Sequence, residues 1–145
     1  MTSPKKISVL QLKEEFLEYD TRPIMSAPEK VYALLKPLFL LDREVFFLLS
    51  LNTKNGVKAI RTISIGSLNA NVVHPREVFR AAIFDSASHI IVSHNHPSGD
   101  PTPSREDIEI TKKLVEASNI LGITLLDHVI IGEGRHYSLK EAGHI

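Results

Sequence analysis

Two histidines and an aspartate lie within fourteen positions of the sequence and could together bind a metal ion. They are His94, His96 and Asp107. Imidazole nitrogens and carboxylate oxygens are ligands that zinc accepts when no thiolate is available, and this chain contains no cysteine. Three protein ligands would leave the fourth tetrahedral position for water. The spacing therefore predicts a zinc site with one position open for chemistry.

The residues around these ligands predict how they meet. Residues 88–93 form a short β-branched run that predicts a buried strand, and an extended chain through His96 would place both imidazoles on one face. Residues 97–103 are rich in turn formers and should reverse the chain. Ser104 then stands where a helix would begin, with Asp107 in its first turn. A strand end and a helix start thus close the site through local contacts.

Ser104 and Asp107 also have a purely structural interpretation. They form an S-x-x-D pattern, which is close to a capping box at a helix N-terminus. The cap and the metal ligand are compatible, because a cap would fix the position of Asp107. Ser104 could cap the backbone or face the site, but one hydroxyl is not expected to serve both purposes fully.

The pattern H-x-H-P, six residues, S-x-x-D resembles the JAMM motif of the JAB/MPN metallopeptidase superfamily. The segment HNHPSGDPTPS at residues 94–104 is similar to the RadC branch in particular. Further similar segments are residues 51–55, 64–69, 73–79 and 125–132, so the resemblance covers roughly residues 22–143. It implies a RadC-type catalytic domain over residues 22–145, after a lead-in of residues 1–21, without the helix-hairpin-helix region of full-length RadC proteins.

The resemblance also implies a role for each residue of the motif. His94, His96 and Asp107 would bind zinc, Glu44 would take a proton from the metal-bound water, and Ser104 would stabilise the tetrahedral intermediate. Zinc lowers the pKa of its bound water to about 7, which makes hydroxide available near neutrality. From the residues alone, Glu44 could equally lie in water at the mouth of a buried strand. The position in the motif favours the acid/base role.

The hydrophobic periodicity predicts the alternating elements of an α/β fold. These are a helix from a Ser26 cap through Leu38, strands at 44–51 and 57–65 joined by an Asn-Gly turn, a helix at 75–86, the ligand strand, a ligand helix at 104–120, and strands at 123–131 and 136–138. Residues 7–19 remain open between an edge strand and a lead-in. Hairpins combined with helical crossovers predict a mixed β-sheet with helices on both sides. This agrees with the cytidine deaminase-like fold that the resemblance implies.

Two further histidines have weaker patterns. His128 follows Asp127 within an apolar run and could contact the metal histidines, but the pattern favours a strand with one polar face. His74 precedes Pro75, so we expect it at the entrance of a helix.

Composition limits the functional classes. At 145 residues and 43% hydrophobic content, the chain can bury one core and is most simply one domain. The absence of cysteine and of any apolar run of membrane length predicts a cytoplasmic protein with no membrane partner. Seventeen basic against seventeen acidic residues give no net attraction to nucleic acid.

Three functional hypotheses follow. The favoured one is a zinc-dependent hydrolase, a metallopeptidase that cleaves a peptide or isopeptide amide of a protein substrate with metal-activated water. The alternative is a DNA repair-associated or DNA-binding protein of the RadC type. The low aromatic content and the balanced charge argue against it, so the sequence supports it only weakly. The third is a metal-bound interaction module without turnover, although all five motif residues are present. No pattern in the sequence identifies the natural substrate or the oligomeric state.

Overall fold

The computed structural model describes residues 23–66 and 73–145. The predicted lead-in of residues 1–21, including the open question at residues 7–19, falls outside this part of the chain. The elements in order are α1 (Pro28–Leu35) with a 3-10 turn (Lys36–Leu40), β1 (Val45–Leu51), β2 (Val57–Ile65), α2 (Pro75–Phe84), β3 (His89–Asn95), α3 (Arg105–Leu121), β4 (Thr124–Ile131) and β5 (His136–Ser138). The predicted α/β class is confirmed.

The five strands form one mixed sheet in the order β2-β1-β3-β4-β5. Strand β1 is antiparallel to both β2 and β3, β3 is parallel to β4, and β5 returns antiparallel to β4. A parallel pair needs a long crossover, and α3 provides the one between β3 and β4. The predicted combination of hairpins and a helical crossover is therefore confirmed.

Helices cover both faces of the sheet, as the hydrophobic pattern of β1 requires. All seven residues of β1 are buried, and successive side chains point to opposite faces. Val45, Phe47 and Leu49 pack with α1 and the 3-10 turn, whereas Phe46 and Leu48 pack with α2 and α3. None of the helices in the described ranges is long and apolar enough to span a bilayer.

The prediction that Ser26 caps α1 is wrong. The N-cap residue is Ala27, and no side chain caps this end. The reason is Pro28, whose fixed φ angle suits the first helical position and makes the preceding residue the N-cap. The helix also ends earlier than predicted, because Pro37 has no N–H to continue the α-helical bonds and the chain proceeds as a 3-10 turn.

The other predicted turns and helix starts are confirmed, although α2 ends at Phe84, two residues before its predicted end. Asn55 adopts a positive φ of 63° in the hairpin between β1 and β2. In the same turn, the side-chain oxygen of Asn52 accepts from the backbone N–H groups of Lys54 and Gly56. His74 is the N-cap residue of α2, at the helix entrance. Helix α3 begins at a Ser104 capping box and ends at Gly122 in the left-handed conformation.

Candidate metal centre

The three predicted ligand side chains converge at the C-terminal end of the central strand, β3. His94 lies near the end of β3, His96 follows the strand, and Asp107 lies in the first turn of α3. The Nε2 atoms of the two histidines are 3.0 Å apart. Each also lies 3.2 Å from one carboxylate oxygen of Asp107. These three side chains could hold a metal ion.

Burial and neighbouring charges determine the protonation states of His94 and Asp107. Burial lowers the pKa of His94, although the Asp107 carboxylate acts in the opposite direction. Burial also opposes ionisation of Asp107, but its close contacts with both histidines and the hydrogen bond from the Ser104 N–H outweigh it and hold its pKa well below the ordinary value. A neutral buried imidazole therefore faces an ionised carboxylate, and these are the protonation states that bind metal.

The loop after β3 orients His96. Its Nδ1–H donates to the backbone carbonyl of Asp100 at 2.8 Å, which directs Nε2 toward Asp107. This loop lies tightly against the end of β4, where a Cβ on Gly132 would be 2.5 Å from the Gly99 carbonyl oxygen. Burial opposes protonation of His96, but the bonds to Asp107 and Asp100 outweigh it and raise its pKa.

Ser104 and Asp107 form the reciprocal cap that their spacing predicts. The Asp107 backbone N–H donates to the Ser104 hydroxyl at 3.1 Å, and the Ser104 N–H donates to Asp107 Oδ2 at 2.8 Å. The carboxylate thus caps the helix and belongs to the three-ligand cluster, so the two roles are compatible as expected. The cap uses a lone pair of the Ser104 oxygen, and the hydroxyl proton is not part of it.

Glu44 directly precedes β1, whose start is paired with the end of β3 that carries His94. The register pairs Phe46 with His94, so Glu44, two residues earlier, lies on the same face as the histidines. Its side chain is half-buried. Its negative charge favours protonation of both His94 and His96, although burial is the larger influence on each pKa. The structure therefore brings all five predicted site residues to one region.

Asn95, which lies outside the predicted ligand set, holds the backbone on both sides of Glu44. Its side-chain oxygen accepts from the Val45 N–H at 2.8 Å, and its amide donates to the Arg43 carbonyl at 3.0 Å. Asn95 is fully buried between the two histidines, on the opposite face of the strand. A polar residue enclosed in a buried strand is a pattern that could have identified it, because such groups require partners.

The interpretation of His128 as part of a polar strand face is wrong. His128 is fully buried, and its Nε2 lies 2.8 Å from Nδ1 of His94. Its neighbour Asp127 points to the other face and accepts from the Ser138 hydroxyl. The less favoured alternative, contact with one of the predicted ligand histidines, is what the structure shows for His94. Thr111, 2.7 Å from His128 Nδ1, was not identified from the sequence.

The mixed sheet, the helices on its two faces and the His-His-Asp cluster at the end of its central strand define a JAB-type domain. Residues 25–144 match the family model described as a RadC-like JAB domain, and the chain belongs to this family. It is 64% identical to a UPF0758 protein of Caldanaerobacter subterraneus subsp. tengcongensis, over 83% of this chain and 52% of that protein. It is 56% identical to a UPF0758 protein of Methanococcoides burtonii, over 91% of this chain and 58% of the relative. The chain thus spans little more than half the length of these curated relatives.

Proposed function

We propose that this domain is a zinc-dependent hydrolase that cleaves a peptide or isopeptide amide in a protein substrate. The observation that carries the proposal is the convergence of two imidazole nitrogens and a carboxylate at separations of 3.0–3.2 Å. Ligands of a tetrahedral zinc ion, at bond lengths of about 2.0–2.1 Å, lie about 3.3 Å apart. The three atoms need to move apart only slightly to fit such an ion.

The donor set also fits zinc chemically. Two histidines and one carboxylate are a known ligand set of catalytic zinc, whose fourth position stays open. When bound, zinc would lower the pKa of a coordinated water to about 7 and polarise the substrate carbonyl. His94, His96 and Asp107 would hold the ion, and the hydrogen bond from His96 to the Asp100 carbonyl would keep that ring oriented.

Glu44 would move the protons of the reaction. Its half-buried carboxylate lies on the histidine side of the sheet. A carboxylate in this place can accept a proton from the attacking water and deliver it to the leaving amine nitrogen. The Asn95 amide supports this role by holding the peptide groups before and after Glu44.

Ser104 would donate to the oxyanion that develops on the substrate carbonyl. Its oxygen accepts the capping bond, which leaves the hydroxyl proton for an oxygen of the substrate. The partial positive charge at the N-terminus of α3 favours negative charge in the same place. The helix cap uses a lone pair of the Ser104 oxygen, whereas the bond to the oxyanion would use the hydroxyl proton.

Protein is preferred to nucleic acid as the substrate for two reasons. The site combines cation ligands, a proton acceptor and a hydroxyl donor, which together suit attack on an amide carbonyl. The JAB class to which the family belongs also includes hydrolases. The equal numbers of basic and acidic residues in the chain provide no net attraction to a polyanion.

Metal analysis by elemental mass spectrometry tests the site. We expect about one zinc per chain in the wild type and none in a His94→Ala, His96→Ala double variant. A His74→Ala, His136→Ala variant removes the same number of imidazoles outside the cluster and should retain the metal. A wild-type protein that cannot be loaded with zinc would refute the proposal.

The reaction is tested on the zinc-loaded protein. Synthetic peptides and lysine-linked isopeptides are incubated with the wild type and with Glu44→Gln, and the products are identified by mass spectrometry. Cleavage by the wild type alone supports amide hydrolysis, whereas equal cleavage by both proteins would exclude Glu44 as the proton acceptor.

A further inference from the structure

Three buried hydrogen bonds connect the far side of the His94 ring to the backbone of Asp107. His94 Nδ1 lies 2.8 Å from Nε2 of His128. His128 Nδ1 lies 2.7 Å from the Thr111 hydroxyl, and that hydroxyl lies 2.7 Å from the Asp107 carbonyl oxygen. All four residues are at most 1% exposed. The hydrogen bonds therefore form a closed path, shielded from water, between two of the three candidate ligands.

The chemistry of the path gives each bond a direction. The Asp107 carbonyl can only accept, so the Thr111 hydroxyl donates its single proton there. The Thr111 oxygen then accepts from His128, whose proton must lie on Nδ1. In a neutral imidazole the other nitrogen is an acceptor, so His128 Nε2 receives the Nδ1–H of His94. His94 is left with a lone pair on Nε2, the atom that faces the cluster.

We infer that His128 and Thr111 are positioning residues that select the tautomer and orientation of His94 in which Nε2 binds the cation. The inference rests on the proposed function, because it takes the cluster to hold a metal ion. It extends the ligand cluster from three side chains to five, which lie on β3, on the loop that follows β3, on α3 and on β4. The Phe46 ring contributes by packing against both His94 and His128, at centroid distances of 6.0 and 5.5 Å.

Thr111 offers the sharpest test because two substitutions separate its hydroxyl from its volume. Thr111→Val preserves the shape but leaves the His128 Nδ1–H without an acceptor, whereas Thr111→Ser keeps the hydroxyl. Ser118→Ala is the matched control, because Ser118 is a buried polar residue of the same helix that bonds Ile123 and Leu125 away from the cluster. The full chain is used in every case, and folding is checked by circular dichroism.

Zinc affinity is measured by competition with a coloured chelator. Loss of such a supporting hydrogen bond costs about 10–100-fold in metal affinity, which is the weakening expected for Thr111→Val. Thr111→Ser should stay within about threefold of the wild type, and Ser118→Ala should lose stability without losing zinc affinity. Should Thr111→Val fail to fold, the proton on His128 is located in the wild type by nitrogen-15 NMR.

The NMR measurement is made on the zinc-loaded wild type, where the His128 proton should lie on Nδ1. A proton on Nε2 of His128, or unchanged zinc affinity in folded Thr111→Val, would overturn the inference and leave the zinc site intact. A wild type that binds no zinc would overturn the proposed function as well.

Discussion

Replacing Asn95 by alanine should lower the free energy of unfolding by about 2–4 kcal/mol. The substitution leaves one buried N–H unsatisfied, at a cost of about 1–3 kcal/mol, and removes a second hydrogen bond worth about 1 kcal/mol. The N–H is that of Val45, which is fully buried. The other partner, the carbonyl of the exposed residue Arg43, can turn to water and contributes the smaller share.

Urea denaturation measures this loss, and Asn52→Ala is the control. Asn52 also makes two side-chain bonds to backbone, to the N–H groups of Lys54 and Gly56 at 2.9 Å each. Both lie in the hairpin, where water can replace the lost oxygen more easily, so we expect a loss of about 1 kcal/mol. Hydrogen exchange adds local detail, because the Val45 amide should exchange faster in Asn95→Ala and not in Asn52→Ala.

The zinc-loaded Asn95→Ala variant should also show a specific defect in catalysis. The three ligands remain, so zinc affinity should change little, while a displaced Glu44 lowers kcat, by as much as about 100-fold for a shift of about 1 Å. A loss of stability below about 0.5 kcal/mol with unchanged Val45 exchange would refute the reasoning, because a buried N–H cannot lose its partner without cost.

Four further outcomes are expected. Glu44→Gln should retain zinc, as determined by elemental mass spectrometry, and lose amide hydrolysis; full activity would contradict its role. His96→Ala should bind no zinc at equal loading, and unchanged stoichiometry would exclude it as a ligand. Zinc affinity, measured by chelator competition at a series of pH values, should fall as the pH decreases through the raised pKa of His96, because the proton competes with the cation. Asp107 stays ionised over the same range. A zinc affinity that does not change with pH would contradict the assignment of His96 as a ligand. Zinc at about 100 times its Kd should raise the free energy of unfolding, measured by urea titration, by about 2.7 kcal/mol. A chelator should reverse this increase, and His96→Ala should not show it.

Much of the fold and the centre of the site could be predicted because the relevant contacts are local. The strand, turn and helix that carry His94, His96 and Asp107 follow each other in sequence, so spacing alone places the ligands together. The Asn-Gly hairpin and the helix entrance at His74 are equally local. The Ser26 cap failed for a local reason as well, since Pro28 decides where α1 starts.

The residues that support the site could not be predicted, because their partners are distant in sequence. Asn95 bonds the backbone of a residue fifty positions away, and His128 reaches His94 across thirty-four. These contacts depend on the pairing of β3 with β1 and β4, and hydrophobic periodicity does not specify which strands become neighbours. Thr111 could be assigned to the buried side of α3, but not to contact with His128.

The last two residues of β3 and the residue after it, His94, Asn95 and His96, have two different roles on the two faces of the sheet. His94 and His96 face the ligand cluster, and Asn95 faces the opposite side, where it holds the chain around Glu44. A strand exchanges its faces when it shifts by one residue. A single insertion or deletion here would turn asparagine toward the cluster and histidine away from it, so both roles would fail in one event. We therefore expect the length of this segment to be as strictly constrained as the identity of its three residues.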